Sequence, residues 1–125
     1  MNSPRWISRI FWWSGFYGVL IICPNYFLEA RYGMDHPPAI THPEFYYGFT
    51  GVGLAWQVAF FIIAKNPVHY RALMIPSILE KVLFGVAAIL LWRQERAPGI
   101  MAGAAVFDFV LAGLFVMAYL KTPKG

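Results

Sequence analysis

Four apolar runs set what this chain can fold into: Ile7–Cys23, Phe45–Ala64, Ala72–Trp92 and Ile100–Leu120. Each is about 17–21 residues long. At about 1.5 Å of rise per residue, that is the length of helix that crosses roughly 30 Å of hydrocarbon. Inside lipid every backbone N–H and C=O must be paired within the structure, so apolar runs of this length fold as helices. The composition agrees, with 59% of the 125 residues hydrophobic and only 13% charged. The sequence predicts one all-α domain, residues 1–125: an integral membrane, up-down-up-down four-helix transmembrane bundle. The predicted spans are about 7–24, 45–64, 72–92 and 99–120, with a single long external loop at 25–44.

Arg5 and Arg9 precede the first run as they would in a signal peptide. No small-x-small cleavage site follows it, and Ile22 before Cys23 does not make a lipobox, so this run is expected to remain as the first span. With the N-terminus inside, the cytoplasmic segments carry Arg5, Arg9, Lys65, Arg71, Lys121 and Lys124, and the other side carries Arg31, Arg93 and Arg96. That excess predicts a multi-pass protein of the bacterial inner membrane with both termini cytoplasmic. The net charge of +4 then reads as positive-inside topology, and no nucleic-acid motif accompanies it. The lone Cys23 excludes an internal disulfide and cysteine-pair redox chemistry.

Small residues suggest where helices approach. The second span has Tyr47, Gly51 and Ala55 at four-residue spacing, and the fourth has Gly99 and Gly103 followed by Ala104, Asp108 and Ala112. Such faces permit close packing where lipid supplies no hydrophobic drive between helices, either within the chain or against another subunit.

Glu80 and Lys81 stand side by side within the third apolar run. A charge at bilayer depth costs at least about 2.5–3.5 kcal/mol, so it should face protein, a cavity or a ligand. Gln57, Ser77 and Asp108 also fall at membrane depth. Counted from the basic anchors, Gln57 and Glu80 lie about 12–13 Å in, Lys81 about 15 Å and Asp108 about 20 Å. Neighbouring helical residues point about 100° apart, so the two charges cannot aim at one spot. Glu80 is expected to face the bundle axis, on the same face as Ser77, while Lys81 snorkels towards the cytoplasmic headgroups. A Lys81–Asp108 bridge is not the default.

Two readings of this polar layer follow. In one, Glu80 hydrogen-bonds Gln57, Asp108 pairs with Lys81, and the groups are interhelical glue, worth about 0.6 kcal/mol per hydrogen bond. In the other, Gln57, Ser77, Glu80, Lys81 and Asp108 line a pocket for a quinone, a sterol-like lipid or an ion. Trp56 would then be a wall, and Pro76 would free a backbone carbonyl nearby. No residue is assigned a catalytic role.

The external loop carries His36 and His42 with Asp35 and Glu44, a weak set of metal candidates whose spacing matches no strong motif. Solvated loop polarity is the expectation for them. No histidine falls within a span, which argues against a bis-histidine haem in the bilayer.

The stretch His42-Pro43-Glu44-Phe45-Tyr46-Tyr47-Gly48-Phe49, then Trp56-Gln57 and Leu79-Glu80-Lys81, sits within a four-span layout with a long first external loop. On these residues the chain resembles small, uncharacterised DoxX-like bacterial membrane proteins. The resemblance implies the four-span fold and carries over no activity or catalytic residue. A weaker resemblance, to the sterol-isomerase-like four-span fold, rests on acidic groups inside the bundle at Glu80 and Asp108. This chain has neither a histidine in a span nor an acid pair on one helix.

Minimal extramembrane mass, short loops and the lack of a cofactor motif point to a small non-catalytic accessory or structural subunit of a larger respiratory or photosynthetic membrane complex. Its partners would be membrane lipids and other membrane subunits, or further copies of itself. The alternative is a small lipid- or quinone-binding protein, transporter-like component or enzyme using Glu80, Gln57 and Asp108.

Overall fold

Proline and a left-handed turn set the helix ends. In the computed structural model, which describes residues 3–124, α1 spans Arg5–Ile22 directly after Pro4. A 3-10 segment, Cys23–Phe27, leads to a short α2 at Glu29–Asp35. Pro43 then opens α3, Pro43–Lys65, with its missing N–H where a helix start would leave it unpaired anyway. A second 3-10 turn, Arg71–Leu73, precedes α4 at Met74–Arg93, and α5 runs Gly99–Lys121 after Pro98. Beyond α4, Glu95 takes a left-handed conformation (φ 59°). The Arg96 N–H reaches back to the Leu91 carbonyl at 2.8 Å, which closes the helix as a Schellman-type cap does.

Four of these helices, α1, α3, α4 and α5, are long and apolar enough to cross a membrane. The chain is an all-α four-helix bundle of the multi-pass membrane type. Their outer surfaces stay apolar, with Leu20, Leu83 and Val106 all exposed, as a lipid-facing wall requires. The predicted external loop is not wholly irregular, because α2 lies inside it and is braced by Arg31 and Asp35 one turn apart at 3.1 Å.

The helices associate as two close pairs, α1 on α3 and α4 on α5. Glycine makes both approaches possible. A Cβ on Gly15 would come within 3.0 Å of the Gln57 backbone oxygen, and one on Gly85 within 2.7 Å of the Phe109 ring. The small-residue faces read from the sequence are only partly the ones used. The buried stripe of α3 is Thr50, Gly53, Gln57, Phe60 and Ile63, while Ala55 is exposed. On α5, Gly103 points outward with nothing within 4 Å of where a Cβ would stand.

Large side chains fill the space between the two pairs. Ile7, Phe11, Phe60, Ile63, Met74, Phe115 and Ala118 form a fully buried core. Phe11 stacks on Phe115 with ring centroids 4.4 Å apart, and Phe60 meets Phe115 edge-on at 5.2 Å. Such pairs add about 0.5–1.5 kcal/mol beyond their buried area. These residues come from the start of α1, the end of α3, the start of α4 and the end of α5. The core therefore occupies the end of the bundle where both termini emerge, and the polar layer sits above it.

Candidate functional site

The packed face of α4 decides where the charges go. Its buried residues are Met74, Ser77, Lys81, Gly85 and Ala88, a stripe at spacings of three and four. Lys81 belongs to that stripe and is only 5% exposed. Its Nζ lies 3.6 Å from Glu80 Oε2 and 3.6 Å from Asp108 Oδ1 on α5, and 5.2 Å above the Phe60 ring.

This corrects the expected arrangement. Lys81, not Glu80, is the inward residue, and it does not snorkel to the headgroups. The position faces α5, which packs directly on α4, and the core that contains Phe60 and Phe115 occupies the end of the bundle towards which the side chain would have to run. Glu80 sits at the flank with its side chain 22% exposed, and Asp108 is 15% exposed. Separations of 3.6 Å are ion-pair contacts, longer than charge-assisted hydrogen bonds. Glu80 Oε2 accordingly makes no hydrogen bond among the described residues. The ammonium serves two carboxylates at once, and either acid alone at this depth would be an uncompensated charge.

Gln57 belongs to the other helix pair. It is 1% exposed, its Nε2 donates to the Gly53 carbonyl at 2.8 Å, and its amide packs against Gly18 of α1. The expected Glu80–Gln57 hydrogen bond is not formed, and Gln57 Oε1 has no hydrogen-bond partner among the described residues. Ser77 is self-contained, its Oγ donating to Leu73 O one turn back at 2.7 Å. Trp56 packs beside the core, 6.5 Å from Phe60 between ring centroids, and lines neither the groove between α1 and α5 nor the hollow beside the α3–α4 turn.

Sequence reasoning missed Ser14. It is 3% exposed and its Oγ lacks a hydrogen-bond partner among the described residues. The available signal was its place on the stripe Ile7, Phe11, Ser14, Gly18, which is the buried face of α1. Ser14 lies on the wall of an apolar groove of about 420 Å³ between α1 and α5, together with Trp13, Tyr17, Phe107 and Leu111. Tyr17 packs on Phe107 at 4.5 Å, and Arg9 stands at the end nearer the N-terminus. The wall includes Phe107 but not its neighbour Asp108.

His36 and His42 have different partners. His42 Nδ1 is 3.3 Å from Glu44 Oε1, whereas His36 lies against the Tyr32 ring at 5.0 Å and Asp35 is engaged by Arg31. Among the described residues, no three His, Cys, Asp or Glu side chains converge as a metal site would need.

No family model, curated protein or solved structure matches this chain. The functional reading therefore rests on the geometry alone.

Proposed function

We propose that the protein is a small non-catalytic subunit of a larger membrane assembly, respiratory or photosynthetic, in the bacterial inner membrane with both termini cytoplasmic. One observation carries this reading. The outer face of α5 presents Gly99, Gly103, Val106, Val110, Gly113 and Met117, all exposed, and neither Gly103 nor Gly113 has anything within 4 Å of a would-be Cβ. Glycines at such a surface allow a second helix backbone to approach closely, and this chain brings no helix there. The polar groups suit a structural role, since Lys81 is held by Glu80 and Asp108, and Ser77 by its own helix.

The test is purification in mild detergent, with co-migrating chains identified by mass spectrometry, for the parent and for Gly103→Leu/Gly113→Leu. A partner subunit retained by the parent and lost by the variant supports the reading. A lone monomer in both overturns it.

A second reading has its own observation, the partnerless Ser14 hydroxyl on the wall of the α1–α5 groove. It favours a small amphiphile-binding protein, with a lipid or quinone lying against Trp13, Tyr17 and Phe107. A Leu111→Trp variant would fill that groove, and extraction of the same co-purified lipid or quinone from parent and variant would rule this site out.

A further inference from the structure

At the end of the bundle where both termini emerge, the approach to α4 and the tail of α5 enclose a second hollow of about 620 Å³. Its walls include His69, Arg71 and Lys124 on one side of its chemistry and Val68, Ala72 and Ile75 on the other. Among the described residues no acidic side chain lines it. The volume falls within the roughly 300–1,000 Å³ typical of small-ligand sites.

Arg71 is fixed in place. Its Nε donates to the carbonyls of Tyr119 at 3.2 Å and Thr122 at 3.0 Å, and its guanidinium lies 3.8 Å over the Tyr119 ring. Those contacts satisfy carbonyls at the end of α5 and use only Nε; among the described residues no protein acceptor takes the two Nη groups. A guanidinium held in this way has already lost its rotamer freedom, and its planar fork suits a phosphate oxygen pair. His69 is ordered as well, with its backbone N–H on Asn66 Oδ1 at 3.2 Å and its ring edge-on to Tyr70 at 4.6 Å. Lys124 brings a second full positive charge.

The apolar side identifies the kind of anion. Ala72, in the 3-10 turn before α4, and Ile75, in the first turn of α4, are both exposed on the outer surface of the bundle. A free anion would gain nothing from them. An amphiphile with a phosphate at Arg71 and Lys124 and an acyl chain running down past Ile75 would use both halves of the hollow. Basic hollows at helix ends on a membrane face are a recurrent way of holding anionic headgroups. We infer that the hollow lined by His69, Arg71 and Lys124 is a binding site for one anionic phospholipid, phosphate at the bases and chain against Ala72 and Ile75. The inference is independent of the accessory-subunit reading.

The test uses full-length protein in mixed micelles, titrated with phosphatidylglycerol or phosphatidylcholine and followed by binding of a spin-labelled form of each lipid. The parent should prefer phosphatidylglycerol. Lys124→Gln should reduce that preference about fivefold, the size of one basic group's attraction to anionic lipid. His69→Gln/Lys124→Gln should reduce it further. Arg5→Gln, a basic position of the same membrane face that lines neither this hollow nor the α1–α5 groove, should leave it unchanged. Ile75→Trp, placed across the chain's path, should weaken phosphatidylglycerol while leaving the fold intact by circular dichroism. Equal losses for Arg5→Gln and Lys124→Gln would mean a diffuse surface effect and would overturn the site. So would a parent with no preference, or competition by inorganic phosphate as effective as by the lipid.

Discussion

The Lys81 ammonium stands 3.6 Å from the Asp108 carboxylate, which ties α4 to α5 at a depth where neither charge has bulk water. Glu80 lies at the same distance from the same ammonium on its other flank. The lysine is therefore the centre of a three-group array, and the acids depend on it more than it depends on either of them.

That asymmetry predicts unequal variants. Lys81→Met should destabilise the protein by roughly 3–5 kcal/mol, because it strands buried charge without a partner. Asp108→Asn should cost less, since Lys81 keeps Glu80. A triple Lys81→Met/Glu80→Gln/Asp108→Asn variant should regain most of the loss, as neutral groups of similar shape need no counter-charge. Thermal unfolding in detergent measures all three. Equal destabilisation by Asp108→Asn and Lys81→Met would contradict the central place of the lysine.

Gly18 and Gln57 make a second coupled pair. A Cβ on Gly18 would run into the Gln57 side chain, which is buried and held to Gly53. Gly18→Ala should cost about 1–3 kcal/mol through overpacking between α1 and α3. Combined with Gln57→Ala it should cost less than the sum of the two single changes, because the smaller side chain leaves room for the methyl. A double-mutant cycle on detergent stability reads this directly, and simple additivity would refute the contact.

The spans were legible because hydropathy reports the solvent around a helix. The four long helices end within two residues of the predicted limits. What hydropathy does not report is which way each helix faces, since lipid outside is as apolar as the core inside. The azimuth of α4 is written instead in its small residues: Ser77, Gly85 and Ala88 mark the packed face, and Lys81 lies four from Ser77 and four from Gly85. Weighing that stripe above the snorkelling tendency of lysine would have turned Lys81 inward. The Gly99–Gly103 spacing did not decide its use, because a small-residue motif gives a helix an approachable face without saying whose helix approaches, and within this chain none covers Gly103. The short α2 has no apolar run to announce it.

Among the contacts that tie the loop between α1 and α3 to α3, one hydrogen bond can be removed singly. Tyr46 Oη donates to the Asn25 carbonyl at 2.7 Å, which joins the start of α3 to the turn after α1. Tyr46→Phe keeps the ring and its contact with Tyr47 and should cost about 0.5–1.5 kcal/mol. The loss should appear as faster hydrogen exchange at residues 25–42, with the amides near Phe11 and Phe115 unchanged. Uniform protection along the loop in parent and variant would show that the bond does not hold it.

The charge distribution makes the last prediction, about sidedness. Arg71 bonds to the end of α5, so the turn between α3 and α4 and the C-terminus share one membrane face, while α2 and the turn after α4 belong to the other. The first face carries Arg5, Arg9, Lys65, Arg71, Lys121 and Lys124, and the second only Arg31, Arg93 and Arg96. Short basic segments remain in the cytoplasm, so the richer face should be the inner one. Cys23→Ser removes the single native thiol, after which cysteines introduced as Met34→Cys, Gln94→Cys and Pro123→Cys can be labelled with a membrane-impermeant maleimide. In intact cells Met34→Cys and Gln94→Cys should react and Pro123→Cys should not, and in inverted vesicles the pattern should reverse. Labelling of Pro123→Cys together with Met34→Cys from one side would break the four-span topology itself. A clean exchange of the two patterns would keep the bundle and turn it over, placing the His69, Arg71 and Lys124 hollow in the outer leaflet.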